Sequence, residues 1–140
     1  MLCEGTVTSE SDGWQLQLMD LRDGPNMHRQ GNLVLFPENG AKFLWAHVIL
    51  KNTAPMRRSF DFKTCVLDFG QYGIPASMIA WSLHMTNYGM ATRNDYDSGE
   101  DRERYLGFAY PVEYLPRVLA CGPNVIKLQY TNPPPTARRE

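Results

Sequence analysis

Apolar and polar side chains alternate every second residue along much of this chain, in short runs punctuated by Gly, Pro, Asn and Asp. Trp14, Leu16 and Leu18 alternate with Gln15 and Gln17, and Phe60 and Phe62 with Asp61 and Lys63. Leu106, Phe108 and Tyr110 alternate with Gly107 and Ala109, and Ile126, Leu128 and Tyr130 with Lys127 and Gln129. A period of two is the mark of a strand with one buried face. Shorter apolar stretches occur at Leu33–Phe36 and Val66–Phe69. The run Phe43-Leu44-Trp45-Ala46-His47-Val48-Ile49-Leu50 is apolar on both faces and reads as a central strand. Between the runs stand Ser11-Asp12-Gly13, Arg22 to Asn26, Pro37-Glu38-Asn39-Gly40, Asn52 to Pro55, Gly70 to Pro75, Asp97-Ser98-Gly99 and Gly122-Pro123-Asn124. Such residues supply positive φ, side-chain caps and stops to ladder pairing. The pattern predicts an all-β fold, an antiparallel sandwich or barrel.

With 140 residues the chain suits one domain. The expected boundaries are a single sandwich over residues 1–131 and a Pro-rich, flexible tail over 132–140. At most one short helix is expected, at Pro116–Cys121, with Pro116 at its first position and Gly122 after its end.

Charge excludes some partners. Fourteen Lys and Arg against fifteen Asp and Glu give a net charge of −1, so no strong field of one sign draws nucleic acid. No apolar run reaches the length of a transmembrane helix. The opening Met1-Leu2-Cys3-Glu4-Gly5 shows no secretory signal pattern. Read literally that places the protein in the cytoplasm; if a signal once preceded Leu2, the protein is extracytoplasmic.

Three cysteines leave at least one thiol unpaired within the chain. Cys65 and Cys121 lie in apolar surroundings and read either as two buried thiols or as a disulfide formed in an oxidising compartment.

Catalytic and ligand-binding patterns are sparse. The histidines are His28, His47 and His84, and no G-x-S-x-G elbow, paired C-x-x-C, H-E-x-x-H or phosphate-binding glycine loop occurs. No cofactor is expected. Five carboxylates fall between Asn94 and Glu103. Asp95, Asp97 and Asp101 can offer oxygens to Ca²⁺, although Gly99 stands one place early for an EF-hand loop and Arg93, Arg102 and Arg104 compete as counter-ions. The plainer reading is a solvated loop.

The central run has one further consequence. If Leu44, Ala46, Val48 and Leu50 face the core, Phe43, Trp45, His47 and Ile49 face outward, and the reverse assignment exposes the smaller set. Either row needs cover. One source is the long Tyr72–Asp97 connection, which carries Met78, Ile79, Trp81, Leu83 and Met85. The other is a protein partner or a second copy meeting Phe43, Trp45, His47 and Ile49.

Three stretches carry a resemblance. They are Phe43–Asn52, a long strand closing on Asn; Leu67–Gly73, a strand entering a Gly turn; and Ser98-Gly99-Glu100 followed by Tyr105–Pro111 and the Ile126–Tyr130 strand. Together they resemble the immunoglobulin-like extracellular domains of unknown function found in bacterial lipoproteins, which share the fold of a mycobacterial secreted immunoprotective antigen. The resemblance implies an extracytoplasmic immunoglobulin-like β-sandwich with no assigned catalytic residues. On this basis the expected function is that of a non-enzymatic binding module. The rival is a small enzyme or ligand-carrying β-barrel whose site is assembled from separated residues such as His84, Tyr88, Asp95 and Tyr110.

Overall fold

A computed structural model describes residues 3–24, 26–30, 33–68, 72–76, 78–80, 93–130 and 138–139. The strands are β1 (Cys3–Ser11), β2 (Trp14–Asp23), β3 (His28–Gln30), β4 (Leu33–Leu35), β5 (Ala41–Asn52), β6 (Arg58–Asp61), β7 (Cys65–Asp68) and β8 (Gly73–Pro75). They continue with β9 (Met78–Ala80), β10 (Arg93–Tyr96), β11 (Asp101–Pro111), β12 (Tyr114–Leu115), β13 (Val118–Cys121), β14 (Asn124–Lys127) and β15 (Arg138–Arg139). The fold is an all-β sandwich of packed antiparallel sheets. One sheet has the order β1-β2-β5-β11-β9 and the other β14-β13-β7-β8.

The pleat explains the layers. On β5 the side chains of Leu44, Ala46, Val48 and Leu50 enter the core with Leu16, Leu18 and Leu21 of β2 and Leu106, Phe108 and Tyr110 of β11. From the second sheet come Cys65, Leu67, Leu119, Cys121 and Ile126. The alternation seen in the sequence is therefore the inward face of each strand.

Two tight hairpins set the register. Asp12 and Gly13 both have positive φ, 52° and 75°, in a two-residue turn between paired Ser11 and Trp14. This is the turn whose twist matches that of the flanking strands. Gly122, at φ 56°, opens the equivalent turn between Cys121 and Asn124, and Pro123 supplies the negative φ that follows.

The sequence and the structure differ in four places. The helix expected at Pro116–Cys121 is instead strand β13, whose Leu119 and Cys121 point into the core; pairing with β7 and β14 on both sides overrides the local Pro and Gly signals. The helical turn among the described residues is a 3-10 segment, Phe62–Thr64, where Asp61 accepts a 3.0 Å hydrogen bond from the Lys63 N–H. Strand β1 carries almost no apolar signal, because Thr6, Val7, Thr8 and Glu10 are exposed at the sheet edge and β2 specifies its place through the Asp12-Gly13 turn. At the other terminus Arg138–Arg139 pair in parallel with Tyr114–Leu115, so the end of the expected flexible tail has a partner in the domain.

One corner organises an end of the sandwich. β5 and β11 pair up to Lys51 and Asp101, and beyond them β6 and β10 pair from Arg58 and Tyr96. The two-stranded ribbon thus bends between Asn52 and Arg58 on one side and Tyr96 and Asp101 on the other. Asn52, fully buried, fills the bend. Its Nδ2 donates to the carbonyls of Met56 (2.8 Å) and Tyr96 (3.1 Å), and its Oδ1 accepts from the Ala54 N–H (3.0 Å). The Gly99 N–H donates to the Asn52 carbonyl (2.8 Å), and the Asn52 N–H to the Glu100 carbonyl (3.0 Å). The bend brings Phe60 and Tyr96 against Trp14 as edge-on aromatic pairs, with ring centroids 5.1 and 5.5 Å away. Arg58 stacks over Trp14 at 4.4 Å and donates to the carbonyls of Asp12 and Gly13, which locks the β1–β2 turn to the same corner.

Candidate functional site

The outward row of β5 lies opposite the core, as the first of the two sequence assignments has it. It is not an open apolar surface. Trp45 is 0% and Phe43 4% exposed within a single chain, their rings in edge-on contact at 6.1 Å. Small residues of β11 stand across from both, Gly107 from Trp45 and Ala109 from Phe43, and leave room for the large rings. Phe43 and Trp45 are thus corrected from a partner surface to interior residues of the chain. His47 and Ile49 are half-buried. Of the residues suggested as cover, Ile79 lies in the core on β9, next to β11, and Trp81, Leu83 and Met85 lie outside the described residues.

His47 belongs to a polar cluster across three strands. The register sets Asp20 of β2 on one side of it and Tyr105 of β11 on the other. A bulge at Met19, between Leu18 and Asp20, turns Asp20 to this outer face while Leu21 returns to the core. The His47 Nδ1 lies 3.4 Å from Asp20 Oδ2 and its Nε2 3.3 Å from Glu103 Oε1. The second contact is an ion-pair approach without hydrogen-bond alignment, so Nε2 is buried and lacks a hydrogen bond. The imidazole stacks on Tyr105, centroids 4.3 Å apart and planes 8° from parallel. Arg22 completes the cluster with two bonds to Asp20, 3.0 and 3.1 Å, and that contact raises its pKa above the ordinary value.

The imidazole is thus held between two carboxylates and against an aromatic face. Nucleophilic catalysis needs a hydroxyl or thiol within hydrogen-bond reach of such a base, and among the described residues none bonds His47. Sequence reasoning missed this cluster. Its members are scattered from position 20 to position 105, and the bulge that delivers Asp20 leaves no signature in the residue order.

The acidic loop is organised by arginines. Asp95 and Asp97 lie 3.6 and 3.3 Å from the two terminal nitrogens of Arg57. Asp95 also accepts from the Ser59 hydroxyl, and this bond, ahead of the Arg57 charge, holds its pKa below the usual carboxylate range. Glu100 accepts a 2.8 Å bond from the Asp97 N–H, the main cause of its own lowered pKa, and pairs with Arg102 at 3.1 Å. Asp101 stands apart as the first residue of β11, exposed and paired in register with Lys51. Among the described residues no group of three or more His, Cys, Asp or Glu converges as metal ligands.

Cys65 and Cys121 are directly opposed on neighbouring strands β7 and β13, Cα atoms 4.0 Å apart, and their sulfurs are bonded. Both are fully buried. Cys3, also buried, is the free thiol, and burial pushes its pKa up to about 11. The separated residues of the rival reading do not meet among the described residues. Asp95 is exposed on β10, Tyr110 is fully buried in the core, and His84 and Tyr88 lie outside the described residues.

A groove runs alongside the open end of the β13–β14 hairpin, where residues 115–117 and 127–130 continue the two strands. Its volume is about 290 Å³. The Leu128 N–H donates to the Arg117 carbonyl (2.9 Å) and the Tyr130 hydroxyl to the Pro116 carbonyl, which ties the two walls together.

Comparison with protein-family models, with curated proteins and with solved structures finds no match.

Proposed function

We propose that this chain is a non-enzymatic interaction module, an immunoglobulin-like β-sandwich that works outside the cytoplasm and recognises a partner at its surface. The filled interior carries the reading. Tyr96, Tyr110, Phe62 and Phe108 are all fully buried in the core cluster, occupying the space that a ligand-carrying barrel keeps for its cargo. The Cys65–Cys121 bond supports the compartment, since such bonds persist where the surroundings are oxidising. The resemblance to extracellular domains of bacterial lipoproteins points the same way. Within that reading the bridge joins neighbouring strands of one sheet, whereas in antibody domains it pins one sheet to the other.

The test sets retention against turnover. The purified chain is incubated with chromogenic ester, phosphoester and glycoside substrates, beside a His47→Gln variant. The expected result is no turnover that depends on His47. Hydrolysis by the parent chain that His47→Gln removes would overturn the non-enzymatic reading, because His47 is the described histidine with carboxylates at both nitrogens.

A further inference from the structure

The outer face of the β14-β13-β7-β8 sheet carries a row of side chains with no polar member. Register sets Val125 opposite Ala120, Ala120 opposite Val66, and Val66 opposite Pro75. Their chain neighbours Ile126, Leu119, Cys121, Cys65 and Leu67 enter the core, so by the pleat this row faces away from it. Val125 and Pro75 are exposed, and Val66 and Ala120 are half-buried. The next row on the same face is Lys127, Val118, Asp68 and Gly73.

The outer face of the other sheet is built differently. Its rows across β2, β5 and β11 are Gln15–Lys51–Asp101, Gln17–Ile49–Glu103, Asp20–His47–Tyr105 and Arg22–Trp45–Gly107, and each holds a charged residue. The apolar row of the second sheet is also symmetric in a way that suits a second copy. Turn one copy by half a revolution about an axis that lies along β13, above the face. Ala120 then meets Ala120, Val118 meets Val118, and Val125 meets Val66 of the other copy. In the second row Lys127 meets Asp68 of the other copy on both sides of Val118. Moving the axis to lie between β13 and β7 would set Asp68 against Val118 instead, so charge selects the axis along β13. Asp68 also has interactions within its own chain, and only the sign of its charge enters here. The net charge of −1 adds little repulsion between copies.

We infer that this face joins two copies of the chain into a twofold-symmetric dimer, with the rows Val125–Ala120–Val66 of the two copies stacked on each other. The inference rests on the reading of the chain as an interaction module and names a second copy as its partner. The apolar row supplies affinity, and Lys127 and Asp68 fix the register between the copies. Face-to-face sheets stack about 10 Å apart and nearly aligned, which the twofold axis along β13 allows. Three strands at about 4.8 Å spacing form the overlap, which is small for a specific interface, so the association is weak and depends on concentration.

The experiment follows the full chain by sedimentation velocity from about 10 μM to about 1 mM, the range in which a small interface associates, and reads amide chemical shifts over the same range. The expected result is a monomer–dimer equilibrium that stops at two copies, with concentration-dependent shifts centred on Val66, Val118, Ala120 and Val125. Two variants change exposed side chains only. Val125→Lys sets a charge against Val66 of the other copy, and Lys127→Glu sets like charges together on both sides of Val118. Each is expected to raise the dimer dissociation constant about tenfold or more. Melting curves of dilute samples check that each variant is folded, and the shifts of the parent chain locate the face without any variant. Assembly beyond two copies, shifts centred on another face, or a dimer undiminished by either folded variant would overturn the assignment. A chain that stays monomeric up to about 1 mM would also overturn it and leave the module reading standing, because that reading falls only on turnover that depends on His47.

Discussion

Replacing Asn52 with Ala removes the side chain that holds the bend of the β5–β11 ribbon. Three hydrogen bonds of ordinary length are lost: Nδ2 to the carbonyls of Met56 (2.8 Å) and Tyr96 (3.1 Å), and the Ala54 N–H to Oδ1 (3.0 Å). A bond of this kind contributes roughly 0.5–1.5 kcal/mol net, so the loss is about 2–4 kcal/mol. The upper part of that range applies where the orphaned group stays dry, and Asn52 and Tyr96 are both fully buried. Against a total of about 5–15 kcal/mol such a loss is a large share of the stability. Asn52→Asp keeps the shape but trades both donor hydrogens for lone pairs facing two carbonyls, and at pH 7 it is expected to cost at least as much. Urea unfolding gives the global figure. Amide exchange gives a local one: Ala54, bonded to the lost side chain, and Gly99, bonded to the Asn52 carbonyl, should lose protection before the centre of β5 does. An Ala variant within about 0.5 kcal/mol of the parent, with unchanged exchange at Ala54 and Gly99, would refute the corner as a stabilising device.

Further expectations concern single side chains. Trp45→Ala removes a fully buried indole and should cost on the order of 3–5 kcal/mol at every protein concentration; a loss confined to dilute samples would restore the self-association reading of this row. Glu100 has a folded pKa below its unfolded value, so its contribution is present above the ordinary carboxylate range and lost as pH falls through the folded value. Melting curves of the parent and Glu100→Gln should therefore converge as pH falls below the ordinary carboxylate range, and a gap that stays constant through acid would contradict the cause assigned. Cys3, with its thiol pKa pushed up to about 11, should resist alkylation in the native state at pH 8 and react on unfolding; rapid native labelling would show that its thiol is not buried in the core.

The layers were legible because one-sided burial writes itself into alternate residues. Leu16 and Leu18, the trio Leu106, Phe108 and Tyr110, and the even-numbered row of β5 all face inward as the pattern required. The turns at Asp12-Gly13 and Gly122-Pro123 were legible for a related reason: positive φ restricts residue choice. Strand β1 was not, because an exposed edge strand buries too little to need apolar residues. Strand β13 was misread because Pro116 and Gly122 are equally good punctuation for a strand between turns. The polar cluster at His47 depends on register between distant segments, and a residue order holds no direct record of register. The bridge stood between these cases. The apolar surroundings of Cys65 and Cys121 were visible, but their opposition across β7 and β13 required the sheet.

That bridge closes a separation of 56 residues, and in the chain-entropy view it stabilises the fold by about 4 kcal/mol. It also connects the fold to the proposed setting, since the reading of an extracytoplasmic module depends on a bond that a reducing compartment would open. The direct measurement is the mass of the chain produced by export to an oxidising compartment, unfolded without reductant and alkylated. One adduct, on Cys3, is the predicted result; three adducts would mean that Cys65 and Cys121 are unbridged thiols and would contradict the account.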